Sequence, residues 1–239
     1  MDAAATVRSA MLLGAEGVRR LAAARVLVVG IGGVGSYAAE ALARGGVGAL
    51  ALIDPDRVDK SNLNRQLVAL VSTLGRLKVE VMRERILDIN PQANVEALAL
   101  RYSAKTADAV DLTRFDFVVD AIDSPGAKVE LIVRAKAVGT PVVSAMGAGD
   151  KLDPTCFTLT DLFATDRCPL ARVMRKRLRK QNITSLDVVF STEEPRAPSP
   201  LADASAPGDE RLPPGSLSFV PGAAGLVIAG HVIRTLAGV

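Results

Sequence analysis

The chain has 239 residues, 49% of them apolar, and a formal charge of +3. That length and apolar content suffice for a full core in one domain and exclude a disordered or fibrous chain. The small net charge excludes a uniformly basic nucleic-acid coat, and two cysteines exclude both a disulfide scaffold and a four-cysteine zinc site.

Elements follow in chain order. Residues 1–24 lack a basic start followed by a long apolar run, so no export signal is expected and the expected location is cytoplasmic. RVLVVG (25–30) reads as a buried strand. Gly30, Gly32, Gly33 and Gly35 then lead into a helix over 34–44. A glycine turn between strand and helix presents free backbone N–H groups to an anion, and the helix dipole adds to the attraction. A second strand, ALALID, ends at Asp54, about 20 residues on, where a carboxylate suits ribose hydroxyls.

Past Asp54 the chain departs from a redox-cofactor site. Asp56, Asn62, Arg65 and Gln66 lie on an irregular segment, and Lys78 on the helix expected over 76–89. Two amides and two cations suit a triphosphate better than a nicotinamide, because Arg forks onto phosphate oxygens and Lys supplies a point charge. Such groups stabilise charge that develops during phosphoryl chemistry.

Strand NVEALAL, a helix near 104–111 and the strand FDFVVDA come next, followed by a helix over 126–138 and the strand TPVVSA. The alternation predicts an α/β fold: a Rossmann-like, doubly wound, mostly parallel sheet, its nucleotide-binding core spanning about 20–150. Asp123 falls at the carboxyl end of a strand, where ligands bind in such sheets. It can hold Mg²⁺ together with phosphate oxygens, or it can cap the next helix, a role open to Ser124 as well.

After residue 150 the pattern changes. CFTLTDL and LDVVFS read as added strands extending the same sheet, within one domain over 1–239. Between them lies a basic helix in which Arg172, Arg175, Lys176, Arg177, Arg179 and Lys180 crowd into nine residues, with Leu170, Met174 and Leu178 as an apolar stripe. This is either a solvated face or a footprint for an RNA backbone. With no Trp and few aromatics, a stacking platform for extended single strands is not expected, and a folded RNA fits better. Residues 194–216 carry six prolines and read as a long loop, more a passive insertion than a lid. The last segment, 220–239, is interrupted by glycines, His231 and Arg234, so it reads as a buried helix rather than a stable membrane insertion. His231 and Cys156 read as structural residues, and Cys168 more as structural than as a nucleophile.

GIGGVG, LIDPDRV, SNLNRQ, GRLKVE and AIDS, in that order, resemble the ubiquitin-activating-like adenylyltransferases. The likeness spans nearly the whole chain. GIGGVGSYAAEALARGGVG, DPTCFTLTDL, PLARVMRKRLRKQ, VVFSTE and SFVPGAAGL look like the branch of tRNA threonylcarbamoyladenosine dehydratases. The resemblance implies ATP and Mg²⁺ as cofactors and tRNA as partner. It implies an acyl-adenylate route to a cyclised base. The four glycines hold phosphate, Asp54 the ribose, and Asp56, Asn62, Arg65, Gln66 and Lys78 the triphosphate, with Mg²⁺ on Asp123. Arg65, Lys78 and Asp123 carry the catalytic roles. The basic residues Arg172, Arg175, Lys176, Arg179 and Lys180 take the RNA. The family pattern implies a homodimer in which Arg8 crosses to the neighbouring site, although Thr6 and Ala10 depart from the pattern around it. Sulfur-transfer proteins are a further class of partner that the superfamily admits. A sulfur-carrier activator, an NAD-dependent oxidoreductase and a non-catalytic RNA-binding protein remain the alternatives; the missing zinc cysteines argue against the first.

Overall fold

A computed structural model describes residue 1, residues 3–197 and residues 214–239. Most of the expected loop 194–216 therefore lies outside the described residues.

Seven strands form one sheet: β1 Arg25–Val29, β2 Ala49–Ile53, β3 Asn94–Leu98, β4 Phe117–Asp120, β5 Val142–Ala145, β6 Phe157–Asp161 and β7 Asp187–Ser191. Their order is β3-β2-β1-β4-β5-β7-β6. All pairings are parallel except β6 with β7. The order reverses between β1 and β4, which opens a crevice at the carboxyl ends of those strands. The two added strands differ from one another. β7 inserts parallel to β5, and only β6, on the edge, runs antiparallel.

Among the described residues six α-helices accompany the sheet: α1 Ala3–Ala23, α2 Gly35–Arg44, α3 Lys78–Ile89, α4 Pro125–Val138, α5 Pro169–Arg179 and α6 Val220–Ala237. One core joins α2, α3 and α6 to a face of the sheet through Leu42, Met82, Ile86, Ile228 and Val232, all fully buried. The second core joins α4 and α5 to the other face through Leu131, Ile132, Met174 and Leu178. α6 has the length and apolarity of a membrane span, yet Val220, Ala224, Ile228, Ala229 and Val232 are buried against the protein. His231 on this helix packs edge-on against Phe117, and its Nε2 lies 3.3 Å from an Asp187 carboxylate oxygen.

Two expectations need correction. The helix near 104–111 is absent; two single 3₁₀ turns, Ala107–Ala109 and Leu112–Arg114, stand there. Thr106 and Asp111 direct this: the Thr106 hydroxyl donates to Arg101 O and the Asp111 carboxylate accepts from Thr113 N–H, so side chains close turns where a helix would need backbone bonds. The N-terminal segment, which carried no helix expectation, forms α1, broken internally where Gly14 takes φ +71°.

Candidate nucleotide site

The glycine turn is closed by contacts that exclude side chains. Gly30 has φ +93°, and a Cβ there would stand 2.6 Å from Ala121 O. A Cβ on Gly35 would stand 1.7 Å from Gly30 O. Both positions are glycine by geometry, and the first seats the β4–α4 loop, with Asp123, directly on the turn. Gly32 and Gly33 face the irregular segment: ideal Cβ atoms there would lie 3.9 Å from Gln66 Nε2 and 3.7 Å from Arg65 Cγ.

Asp54 ends β2 beneath this turn, 6% exposed. Its carboxylate accepts from Ile31 N–H at 2.7 Å and from Asp56 N–H at 2.8 Å. Burial pushes this carboxyl above its ordinary range, while the two N–H donors and the charge of Lys78 pull it back. Lys78 opens α3, its side chain only 7% exposed, and its ammonium lies 3.2 Å from the half-exposed carboxylate of Asp56.

Asn62 is buried in a short turn. Its Oδ1 accepts from Asp59 N–H, and its carbonyl accepts from the N–H groups of Arg65 and Gln66. That turn aims the next two side chains. The Arg65 guanidinium donates to Ser61 O and Asn64 Oδ1, both at 2.8 Å. Gln66 keeps its Oε1 buried with no hydrogen-bond partner among the described residues. A buried acceptor without a donor costs free energy unless something supplies one.

Asp123 is exposed beyond β4. The helix cap is Ser124, not Asp123, so the capping alternative for this carboxylate falls away. Its side chain enters no hydrogen bond or ion pair among the described residues. Behind it lies a group that pattern reading missed. Asp120 is fully buried, and its carboxylate is held by Lys128 Nζ at 3.0 Å, Ser144 Oγ at 2.6 Å and Ile122 N–H at 3.2 Å. Lys128 Nζ also donates to Ile122 O at 3.0 Å. A lysine at helical spacing reads as solvent-facing; the signal was its position four residues into a helix that follows a buried strand-end aspartate.

Arg8 is not brought to this site. It is exposed on α1, and Thr6 packs near Gly46, past the end of α2 remote from the glycine turn. The cations of α5 are also separate. Arg172, Lys176 and Lys180 are exposed, with no partner among the described residues, whereas Arg175 donates to Thr165 O at 2.8 Å and Arg179 stacks 5.3 Å from the centre of the Phe163 ring. Cys168 is buried as the cap of α5, its sulfur accepting from Ala171 N–H. Cys156 lies with its thiol 3.4 Å from Asp153.

A model of the ThiF family matches residues 6–239. The chain belongs to the ThiF family. Within the family it falls in the dehydratase branch. It is 42% identical over 236 residues to a Bacillus subtilis tRNA threonylcarbamoyladenosine dehydratase, covering 96% of this chain and 93% of the relative. It is 37% identical to the Escherichia coli enzyme of that name, covering 95% and 91%. A solved structure of E. coli tRNA N6-threonylcarbamoyladenosine dehydratase in complex with ATP superposes with a TM-score of 0.84 at 36% identity, over 97% of this chain and 93% of that one. The doubly wound ThiF sheet thus matches the expected fold class.

Proposed function

We propose that this ThiF-family protein is an ATP-dependent dehydratase that cyclises threonylcarbamoyladenosine in tRNA. The observation that carries this is the convergence, at the carboxyl ends of β1, β2 and β4, of a glycine turn, Asp54, Arg65, Gln66, Lys78 and Asp123, in a chain 42% identical to a dehydratase. The glycine turn and the start of α2 cradle phosphate. Asp54, its carboxylate oriented by the Ile31 and Asp56 N–H groups, accepts from ribose hydroxyls. The unpartnered Gln66 oxygen supplies an acceptor where a ligand donor is needed.

The substrate's carboxylate attacks the α-phosphorus of ATP and displaces pyrophosphate. Lys78 and Arg65 stabilise the charge that builds on the phosphate oxygens. The acyl-adenylate turns hydroxide, a poor leaving group, into AMP. The carbamoyl nitrogen of the same nucleoside then closes on the activated carbonyl, and AMP departs with the oxygen. An intramolecular nucleophile needs no enzyme cysteine, in keeping with Cys168 serving as a helix cap.

Mg²⁺ fits the site because Asp123 offers an uncommitted, exposed carboxylate at the strand end, and Mg²⁺ needs few protein ligands beside phosphate oxygens. When bound there, it neutralises phosphate charge. Lys78 and Asn62 hold the triphosphate from the other side, with Asp56 positioning the Lys78 ammonium from 3.2 Å.

The protein acts as a homodimer in the cytoplasm. Arg8 lies far from its own chain's glycine turn, beside exposed Val7, Met11 and Leu12, the last 85% exposed. This apolar face suits a second copy, whose site Arg8 then completes. Sulfur-transfer proteins are not needed for the chemistry. The test is nucleoside mass analysis of tRNA bearing threonylcarbamoyladenosine after incubation with protein and ATP. The expected product is lighter by one water, with AMP and pyrophosphate released. An unchanged nucleoside, with AMP formed only when a small protein ending in Gly-Gly is added, would move the protein to the sulfur-carrier activators.

A further inference from the structure

A second site lies at the other end of the sheet from the nucleotide. β6 runs antiparallel to β7, so Asp161 pairs with Asp187 at the amino end of the parallel strands. α5 starts near Gly147, just past the carboxyl end of β5, and returns along one face to that far end. Its 11 residues span about 16 Å. Where it ends, Phe163, Arg179, Asn182, Ile183 and Thr184 line a cavity of about 330 Å³.

The lining has a particular chemistry. The Arg179 guanidinium lies over the Phe163 ring at 5.3 Å, giving a cation backed by an aromatic face. The Asn182 amide and Thr184 hydroxyl offer both donors and acceptors. Ile183 supplies apolar wall. Asp161, the nearest acid in sequence, is not presented to the cavity as a free charge: its two oxygens accept from Phe163 N–H at 2.7 Å and Leu186 N–H at 2.9 Å. That carboxylate instead ties together the two loops that form the walls.

The approach is cationic. Arg172, Lys176, Arg177 and Lys180 make no ion pair or side-chain hydrogen bond among the described residues. A row of cations leading to an open surface pocket that bears an aromatic ring and an amide matches a polyanion that carries flat polar rings. An acidic peptide would satisfy the cations but would leave the stacking surface and the amide without a purpose.

We propose that this cavity is a nucleotide subsite, in which one unpaired base of the RNA substrate lies against the Arg179–Phe163 pair while its neighbouring phosphates run along α5. The inference rests on tRNA being the substrate. It adds a second anchoring point, about one helix length from the reacting base, that selects RNA with an unstacked nucleotide at that distance.

Three single variants test it by tRNA affinity across a salt series, with ATP affinity and thermal stability as controls. Phe163→Leu keeps apolar bulk and removes the ring. Asn182→Gly removes the amide and keeps the backbone, which has φ +58° at this residue. Lys180→Ala removes one cation outside the cavity. Phe163→Leu and Asn182→Gly should each weaken tRNA binding, the former roughly tenfold, by an amount that persists at high salt, as for lost base stacking. Lys180→Ala should flatten the salt slope by a little under one unit. ATP affinity should not change in any of them. Parent-like tRNA affinity in folded Phe163→Leu and Asn182→Gly would overturn the subsite while leaving tRNA as the substrate. Equal losses for tRNA and for poly-glutamate would reassign the cavity to a protein partner. No binding of tRNA by the parent would remove the substrate reading itself, and the subsite with it.

Discussion

Lys128 Nζ stands 3.0 Å from Asp120 Oδ2, and both side chains are fully buried. The same ammonium holds the carbonyl of Ile122, so this ion pair fixes the backbone on which Asp123 stands. Removing one member of a buried pair leaves an uncompensated charge and costs about 3–5 kcal/mol, whereas removing both can be nearly neutral. Lys128→Met should therefore lower unfolding stability by that amount in urea titration. Adding Asp120→Asn should recover most of the loss, because the Asn oxygen can still accept from Ile122 N–H while its NH2 group donates to Ser144 Oγ. A double variant as unstable as Lys128→Met would mean that the pair is not what holds this corner.

If Lys78 and Arg65, which come from different elements, flank the triphosphate as proposed, both can meet charge that forms only during adenylation. Lys78→Ala or Arg65→Ala should slow cyclisation about a hundredfold or more. Lys78→Ala also removes the nearer of Asp56's two ion pairs and leaves Arg101 at 3.8 Å, so ATP affinity should be measured beside turnover. Near-normal single-turnover rates with bound ATP would reject the role.

Asp123 does not cap α4, since Ser124 occupies that position. Asp123→Asn should leave thermal stability within a few tenths of a kcal/mol, as for an exposed substitution away from structural bonds. It should raise the magnesium concentration needed for half-maximal rate. An unchanged magnesium dependence would release this carboxylate from the site.

The parts legible in the sequence were those written locally. Gly30 and Gly35 announce themselves because only glycine fits there, and Asp54 because it closes an apolar strand; Asp123 stands three residues past Asp120, the true end of β4. The parts that escaped depend on distant residues. Lys128 is buried because Asp120, eight residues earlier in sequence, ends up beneath it, and no helical period reports that. β7 sits between β5 and β6 although it follows both, a choice made by register and packing rather than by composition. α1 was hidden by Gly14, whose positive φ interrupts its apolar spacing. The five α5 cations looked equivalent as a run, yet Arg175 is spent on Thr165 and Arg179 on Phe163.

That division of labour on α5 changes what substitution should do. Arg172, Lys176 and Lys180 have no protein partner, so replacing all three by Ala should weaken tRNA binding and flatten its salt dependence by about two to three units. Thermal stability should hold. Arg175→Ala should instead lower stability by about 1–3 kcal/mol, the range for losing a charged hydrogen bond to a carbonyl. Calorimetry and tRNA titration on the same preparations separate the two effects. Equal salt slopes for the triple variant and the parent would return α5 to a merely solvated face.

Arg8 and Lys78 lie on opposite sides of the chain, because α1 packs by the far end of α2 while Lys78 opens α3 beneath the glycine turn. If each site takes Lys78 from one copy and Arg8 from the other, two inactive chains can repair each other. An Arg8→Ala chain keeps Lys78, and a Lys78→Ala chain keeps Arg8. In their heterodimer one site has both residues and the other has neither. Random exchange makes half of the dimers mixed, so roughly a quarter of the parent activity should return. Each variant alone should stay near its own low rate. The measurement is cyclisation rate against mixing ratio, after subunit exchange has been verified by mass-tagged chains. Activity that follows the simple sum of the two variants, with exchange complete, would place Arg8 outside the neighbouring site. A protein that sediments as a monomer at working concentration would do the same.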